Sequence, residues 1–312
     1  MAATTTTATP EATAPAPARR HIVAETRSTS LASRQAFVAL LQRDLTVLKK
    51  NLGEFVTRTL VQPFLLVFVF LYVFPTIGQG VGATSTAGLH GLALTLARKG
   101  ESNFASVLVP GVVGISIMFQ GIQAVAMQLS QEFGFTREIE DRVQAPCPVW
   151  LVAVAKVVSG AIQGVIAAAI VFPIAAVIHA PGVHANLQFH WLVLVTILPP
   201  ACIAFSALGL FLGTKFEPRN LGLMFGFVVL PITFLGGTYY SWTKLQPVHI
   251  GAFHWLQTLV LVNPLIYANE GLRAAVTGLP HMHLYVVYPA LLGACALFLY
   301  LGIKGFRKRV LA

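Results

Sequence analysis

Six long apolar segments lie between Phe55 and Ile303, and none of them contains an acidic residue. A hydrocarbon core takes about 20 apolar residues per helical crossing. Within lipid every backbone N–H and C=O must be satisfied inside the segment, so runs of this kind cross as helices. The expected fold is therefore an all-α polytopic membrane protein with six transmembrane helices. The spans are expected at Arg58–Ile77, Ser106–Leu129, Val149–Ile178, Trp191–Leu212, Leu221–Tyr240 and Leu284–Ile303. The third is long for one perpendicular crossing and contains Pro173.

The missing carboxylates exclude as much as the spans imply. A carrier driven by protons or sodium needs an intramembrane Asp or Glu to bind the coupling ion. The phosphate-binding pattern GxxxxGK[ST] is also absent, so the chain cannot hydrolyse ATP alone. A multi-span protein without an energy-coupling residue of its own reads as one subunit of a machine powered from elsewhere.

Composition sharpens this. Charged residues make up 10% of the chain, against about 25% in a soluble domain, and mean hydropathy is +0.74. The net charge of +10 is a matter of topology, not of nucleic acid, because Lys and Arg sit at span ends. With the N-terminus cytoplasmic, all but Arg98, Lys99, Lys244 and Arg273 of the 21 basic residues fall on the cytoplasmic side. Both termini are expected there. Three cysteines, widely separated, give no disulfide framework.

Residues 1–30, rich in Thr, Ala and Pro, are expected to be a disordered cytoplasmic tail, with no apolar stretch of the kind a cleaved signal needs. Residues 31–57 read as an interfacial connecting helix. Phe37, Leu40, Leu41, Leu45 and Leu48 recur at helical spacing, with Arg34, Gln42, Arg43, Lys49 and Lys50 opposite and Ser33 available as an N-cap. Residues 58–312 form the six-span domain.

Four groups are candidates for function. The loop Ser130–Pro148 packs Glu132, Arg137, Glu138, Glu140, Asp141 and Arg142 close together, with Phe133, Phe135, Ile139 and Val143 as its apolar residues. It suits a short amphipathic helix that plugs into a soluble partner, or a solvated loop. Between the last two spans, GGTYYSW and a long apolar run are broken at Asn263-Pro264, where proline disfavours helix at the preceding residue. Two short helices should meet there as an outer re-entrant hairpin, with Glu270 and Arg273 paired on one face. Phe64, Phe68 and Tyr72 in the first span are candidates to line a path for an amphipathic substrate, or to pack against lipid. Histidines cluster on the expected outer side, including His249, His254, His281 and His283. They keep open the alternative of an integral-membrane lipid-modifying enzyme. HxH alone is a weak metal signal, and no metal site or catalytic motif is expected.

From residue 31 onward the chain resembles the permease subunits of type-two ABC exporters. The resemblance is carried by EFGFTREIEDRVQAPCPVWLVAVAK (Glu132–Lys156), by FLGGTYYSW and by NPLIYANEGLRAAVTG (Asn263–Gly278). The second pair looks like the multidrug (daunorubicin-resistance) and nodulation-type branch. After Arg142 members of the family commonly carry a Leu pair and a Pro-Val, where this chain has Val143-Gln144 and Pro146-Cys147. The resemblance implies that Phe133–Pro146 is a coupling helix seated in a separate cytoplasmic ABC ATPase. That partner would bind the ATP and Mg, and the chain itself would carry no cofactor. It further implies a connecting helix on the ATPase, a second permease copy, and export across a bacterial plasma membrane.

Overall fold

A computed structural model describes residues 29–77, 92–133, 148–178, 185–247 and 254–310. These residues are helical throughout, apart from turns and an isolated antiparallel bridge between Leu187 and Thr277. The protein is an all-α polytopic membrane protein. Among the described residues five helices are long and apolar enough to cross a membrane: Leu52–Thr76 (α2), Ser102–Gln131 within Leu92–Gln131 (α3), Val149–Val177 (α4), Trp191–Lys215 (α5) and Leu284–Val310 (α9). A shorter apolar helix, Gly222–Leu235 (α6), stands in the place of the fifth expected span.

Helix α1 (Thr29–Lys50) begins upstream of Ser33, which therefore lies inside the helix and not at its N-cap. Nothing between Thr29 and Ser33 breaks a helix, since neither Gly nor Pro occurs there. Its face of Phe37, Leu40, Leu41, Leu45 and Leu48 is half-buried and Arg34, Gln42, Arg43, Lys49 and Lys50 are exposed, as the spacing predicts. The break between α1 and α2 falls at Asn51, so the expected boundary at 57/58 lies within a continuous helix.

Helix α3 is the central post. Its apolar window is 94% buried, against 22% for α2 and 17% for α9, so α2 and α9 are the outer staves. α3 and α5 touch through backbone: a Cβ on Gly209 would lie 2.9 Å from Ile122 Cα, and one on Gly213 2.9 Å from Ala126 Cα. Small residues here let the axes close up, and any side chain would force them apart. The Gly160/Gly164 pair is likewise packed, against Val125, Ser206 and Cys202, whereas nothing lies within 4 Å of Gly222 or Gly226.

Helix α6 ends at Leu235, short of the expected Tyr240, because Gly236-Gly237 turns the chain back. Gly237 has φ 67°, a left-handed conformation that glycine takes without steric cost. A short helix Trp255–Leu259 (α7) and a 3₁₀ turn then lead to Asn263, where helix α8 (Pro264–Val276) starts. The two helical pieces meet at Asn263-Pro264 as the sequence predicts. All of α8 except Tyr267 is buried, packed against α3, α5 and α9.

Candidate functional site

Among the described residues, two polar clusters and one polar cleft stand out in a largely apolar interior. The first cluster sits at the end of α3. Glu132 Oε1 is 2.6 Å from Lys156 Nζ of α4, which also donates to Gln128 Oε1 at 3.3 Å. Asp44 of α1 lies 3.8 Å from the same ammonium. Lys156 is 3% exposed, so an unpaired charge there would carry the full desolvation cost. The next residue, Phe133, packs edge-on against Phe306 of α9 at 6.0 Å between ring centroids. The Arg309 guanidinium covers the other side of the Phe133 ring at 4.6 Å. Arg309 Nη1 in turn donates to the carbonyls of Gly213, Thr214 and Phe216 at 3.2, 3.3 and 3.1 Å, satisfying acceptors that α5 leaves open at its C-terminus. Glu132 and Phe133 are thus bound directly to α4 and α9, through Lys156 to Asp44 of α1, and through Arg309 to α5.

Glu132 and Phe133 were expected on the surface that docks a soluble partner; here Glu132 is buried in its pair with Lys156 and Phe133 is half-buried against Phe306. Arg137, Glu138, Glu140, Asp141 and Arg142 lie outside the described residues. Lys156, Asp44 and Arg309 were not expected as site residues, and only Lys156 carried a usable signal. It stands seven residues into a predicted apolar span, where a cation needs a partner.

The second cluster is built on α8. Asn263 caps the helix, its Oδ1 accepting from Leu265 N at 2.9 Å, while its Nδ2 donates to Ile232 O at 2.7 Å. Glu270 and Arg273 are both fully buried. Glu270 Oε1 accepts from Arg273 Nη1 at 2.9 Å and from Trp242 N at 2.8 Å, and Oε2 accepts from Met282 N at 2.8 Å. Arg273 Nη2 donates to the carbonyls of Gly237, Val107 and Thr238. Asn269 Nδ2 donates to Gly236 O at 2.7 Å. The turn that shortens α6 is therefore held by side chains of α8. Burial acts to lower the proton affinity of Arg273, and the Glu270 carboxylate acts against it. Most bonds of this cluster go to backbone, and its carboxylate and guanidinium are fully buried.

Phe64, Phe68 and Tyr72 form a stacked ladder, with ring centroids 6.0 and 5.4 Å apart. They are 43%, 37% and 41% exposed, so within one chain they face outward and line no interior path. Of the histidines expected on the outer side, His281 Nδ1 is 2.9 Å from Met282 O and His283 stacks on Tyr285. His249 lies outside the described residues, and among the described ones no three His, Cys, Asp or Glu side chains are placed to share a metal.

The cleft was not foreseen. It has a volume of about 220 Å³ and opens where α1 and α2 lean on α3 and α4, with Asn51, Glu54, Arg58, Gln123, Gln128 and Gln163 among its walls. The sequence did carry its signal: Gln120, Gln123, Gln128 and Gln131 fall on one side of α3.

The family described as ABC-2 type transporter matches residues 35–277. The "Inner membrane transport permease YadH" of Escherichia coli (strain K12) is 26% identical over 238 residues, covering 75% of this chain and 81% of that protein. The protein of the same description from Shigella flexneri matches with the same identity and coverage.

Proposed function

The chain belongs to the ABC-2 type transporter family, and from that premise we propose that it is the permease of an exporter powered by a separate ABC ATPase. It is a multi-pass plasma-membrane transport subunit, and family membership implies the ATPase partner. The cargo we assign is an amphipathic drug, lipid or glycolipid, as in the multidrug and nodulation-type branch. In this reading both termini are cytoplasmic, residues 1–30 are a tail, and a second copy of the chain completes the path. The unpacked Gly222 and Gly226 of α6 support a second copy.

The observation that carries the reading is the joint at the end of α3. A segment pushed by an ATPase must pass force to more than one helix. Glu132 and Phe133, which precede residues 134–147, hold α4 and α9 directly and α1 through Lys156. Arg137, Glu138, Glu140, Asp141 and Arg142 in that loop supply the docking charges. ATP binding drives transport only if the ATPase in its ATP-bound form prefers one arrangement of these helices over the other.

Purification of the chain from its own membranes in mild detergent tests the reading. A roughly stoichiometric protein with a Walker motif is expected to co-elute. Elution of the chain alone, while other membrane complexes survive, would sink the proposal.

A further inference from the structure

We propose that the cleft between α1–α2 and α3–α4 is a head-group site that takes the neutral, hydroxyl- or amide-bearing head of an amphiphile while its chain stays in lipid. This deepens the permease reading and rests on it for the site's role in transport.

Four features define the occupant. The first is polarity at depth. Thr59 Oγ1 donates to Gln120 Oε1 at 3.1 Å, and Gln120 Nε2 donates to Gln163 Oε1 at 3.2 Å. This chain ties α2, α3 and α4 together inside the spans, and all three side chains are buried. A narrower slot of about 20 Å³, with room for roughly one water, shares Arg58 and Gln123 with the cleft and reaches this chain. Polar groups leave the interface and enter the bundle without interruption, which in a membrane protein costs free energy and marks a route for polar matter.

The second feature is charge. Asp44 on the cleft wall is paired with Lys156. Glu54 and Arg58, one helical turn apart, contribute opposite signs. Asp44, Glu54 and Glu132 against Arg58 and Lys156 leave a balance of one negative charge at the cleft, which disfavours an anionic head. The third is the kind of group presented. Each glutamine amide offers two donors and an accepting oxygen, the combination that pairs with hydroxyls and amides. Gln123 is half-buried, lines both cavities, and is hydrogen-bonded to none of the described residues. The fourth is size. Sites for whole drug-like ligands run from about 300 Å³ upward, so about 220 Å³ fits a head group and leaves the tail outside. The cleft wall also includes Leu48, Phe55 and Met127, apolar surface on which the first methylenes of such a tail can lie.

The test uses the full chain in lipid nanodiscs and three photoreactive probes of one chain length, bearing a glucoside, a phosphocholine or a carboxylate head. Labelled peptides are mapped by mass spectrometry. The glucoside probe is expected to label residues 51–58 and 120–131, with suppression by excess dodecyl glucoside. Gln123→Leu should lower that labelling about five-fold, the effect of one lost neutral hydrogen bond. Gln62→Leu on the slot wall serves as a second variant should the first misfold. Equal labelling by all three heads, or labelling unchanged by Gln123→Leu in a folded protein, overturns the site. Even labelling beside a co-purifying ATPase removes the head-group site and leaves the permease reading intact. Selective labelling with no ATPase partner keeps the site and removes its role in powered export.

Discussion

Both buried ion pairs hold a fold together, but they differ in what they join. Glu270 and Arg273 stand three apart on one helix, and their remaining bonds go to backbone of the adjoining turns, to Ser241 Oγ and to the Val107 carbonyl of α3. Separating them would break contacts on every side, with no alternative partner nearby. Lys156 and Glu132 come from different helices, with Asp44 of a third held at a longer 3.8 Å. A relative shift of α1, α3 and α4 can exchange one carboxylate for the other at the same ammonium. The first arrangement suits a rigid cap, and the second suits a joint with two settings, the property that a coupled conformational change needs.

Removing the cation from each pair separates these roles most sharply. Arg273→Met leaves Glu270 charged and buried, and should cost about 3–5 kcal/mol of stability, enough to abolish a folded product. The readout is thermal unfolding and monodispersity in detergent. A variant that melts within about 1 kcal/mol of the parent would show that the cluster is not a staple.

Lys156→Met is expected to cost less, about 1–3 kcal/mol, because the Glu132 carboxylate sits at the end of a helix and can relax toward water. Combining it with Glu132→Gln should recover part of the lost stability, since one buried carboxylate is neutralised while Asp44 keeps its charge after losing the ammonium at 3.8 Å. Coupling should not recover: the double variant keeps its fold and its ATPase but moves no cargo. Restored transport would reduce the joint to a structural pair like the one on α8. Charge reversal at Glu138 and Glu140 carries the same logic to the docking surface. Stability should change by less than about 0.5 kcal/mol while transport is lost, and normal transport by that variant would remove the loop from the coupling route.

What the sequence made legible follows the same divide. Apolar run length and the helix-breaking Asn263-Pro264 fixed the helices and the junction of α7 with α8, because burial in lipid leaves few alternatives. The Glu270/Arg273 pair was visible from its spacing of three. That it clamps Gly237 and shortens α6 was not, since those bonds join residues far apart in sequence. Lys156 was visible as a lone cation in an apolar span, but its partners Glu132 and Asp44 come from two other helices. The glutamines of α3 were legible as a periodic stripe, but that the stripe faces a cleft depends on how α1 and α2 lean against it. The four-residue spacing of Phe64, Phe68 and Tyr72 put them on one side of α2 and told nothing of which way that side faces.

That ladder gives the smallest expected effect. Phe64, Phe68 and Tyr72 stack on the outer side of α2, where each aromatic contact is worth about 0.5–1.5 kcal/mol. If lipid alone covers the ladder, Phe68→Leu keeps an apolar surface of similar size, and transport and oligomeric state should both be unchanged. If a second copy of the chain covers it, Leu at position 68 weakens a packed aromatic seam, and cross-linked dimer should fall while the chain's own melting point stays put. The expectation follows from what surrounds the ring. Among the described residues the ring contacts of Phe68 are with neighbours on its own helix, Phe64 and Tyr72. The stack therefore stiffens one outer face of α2 without tying it to the core, the reverse of the joint at Lys156. A stiff apolar face with no anchor in its own chain is suited to meeting another surface, so the fall in dimer is the outcome we expect.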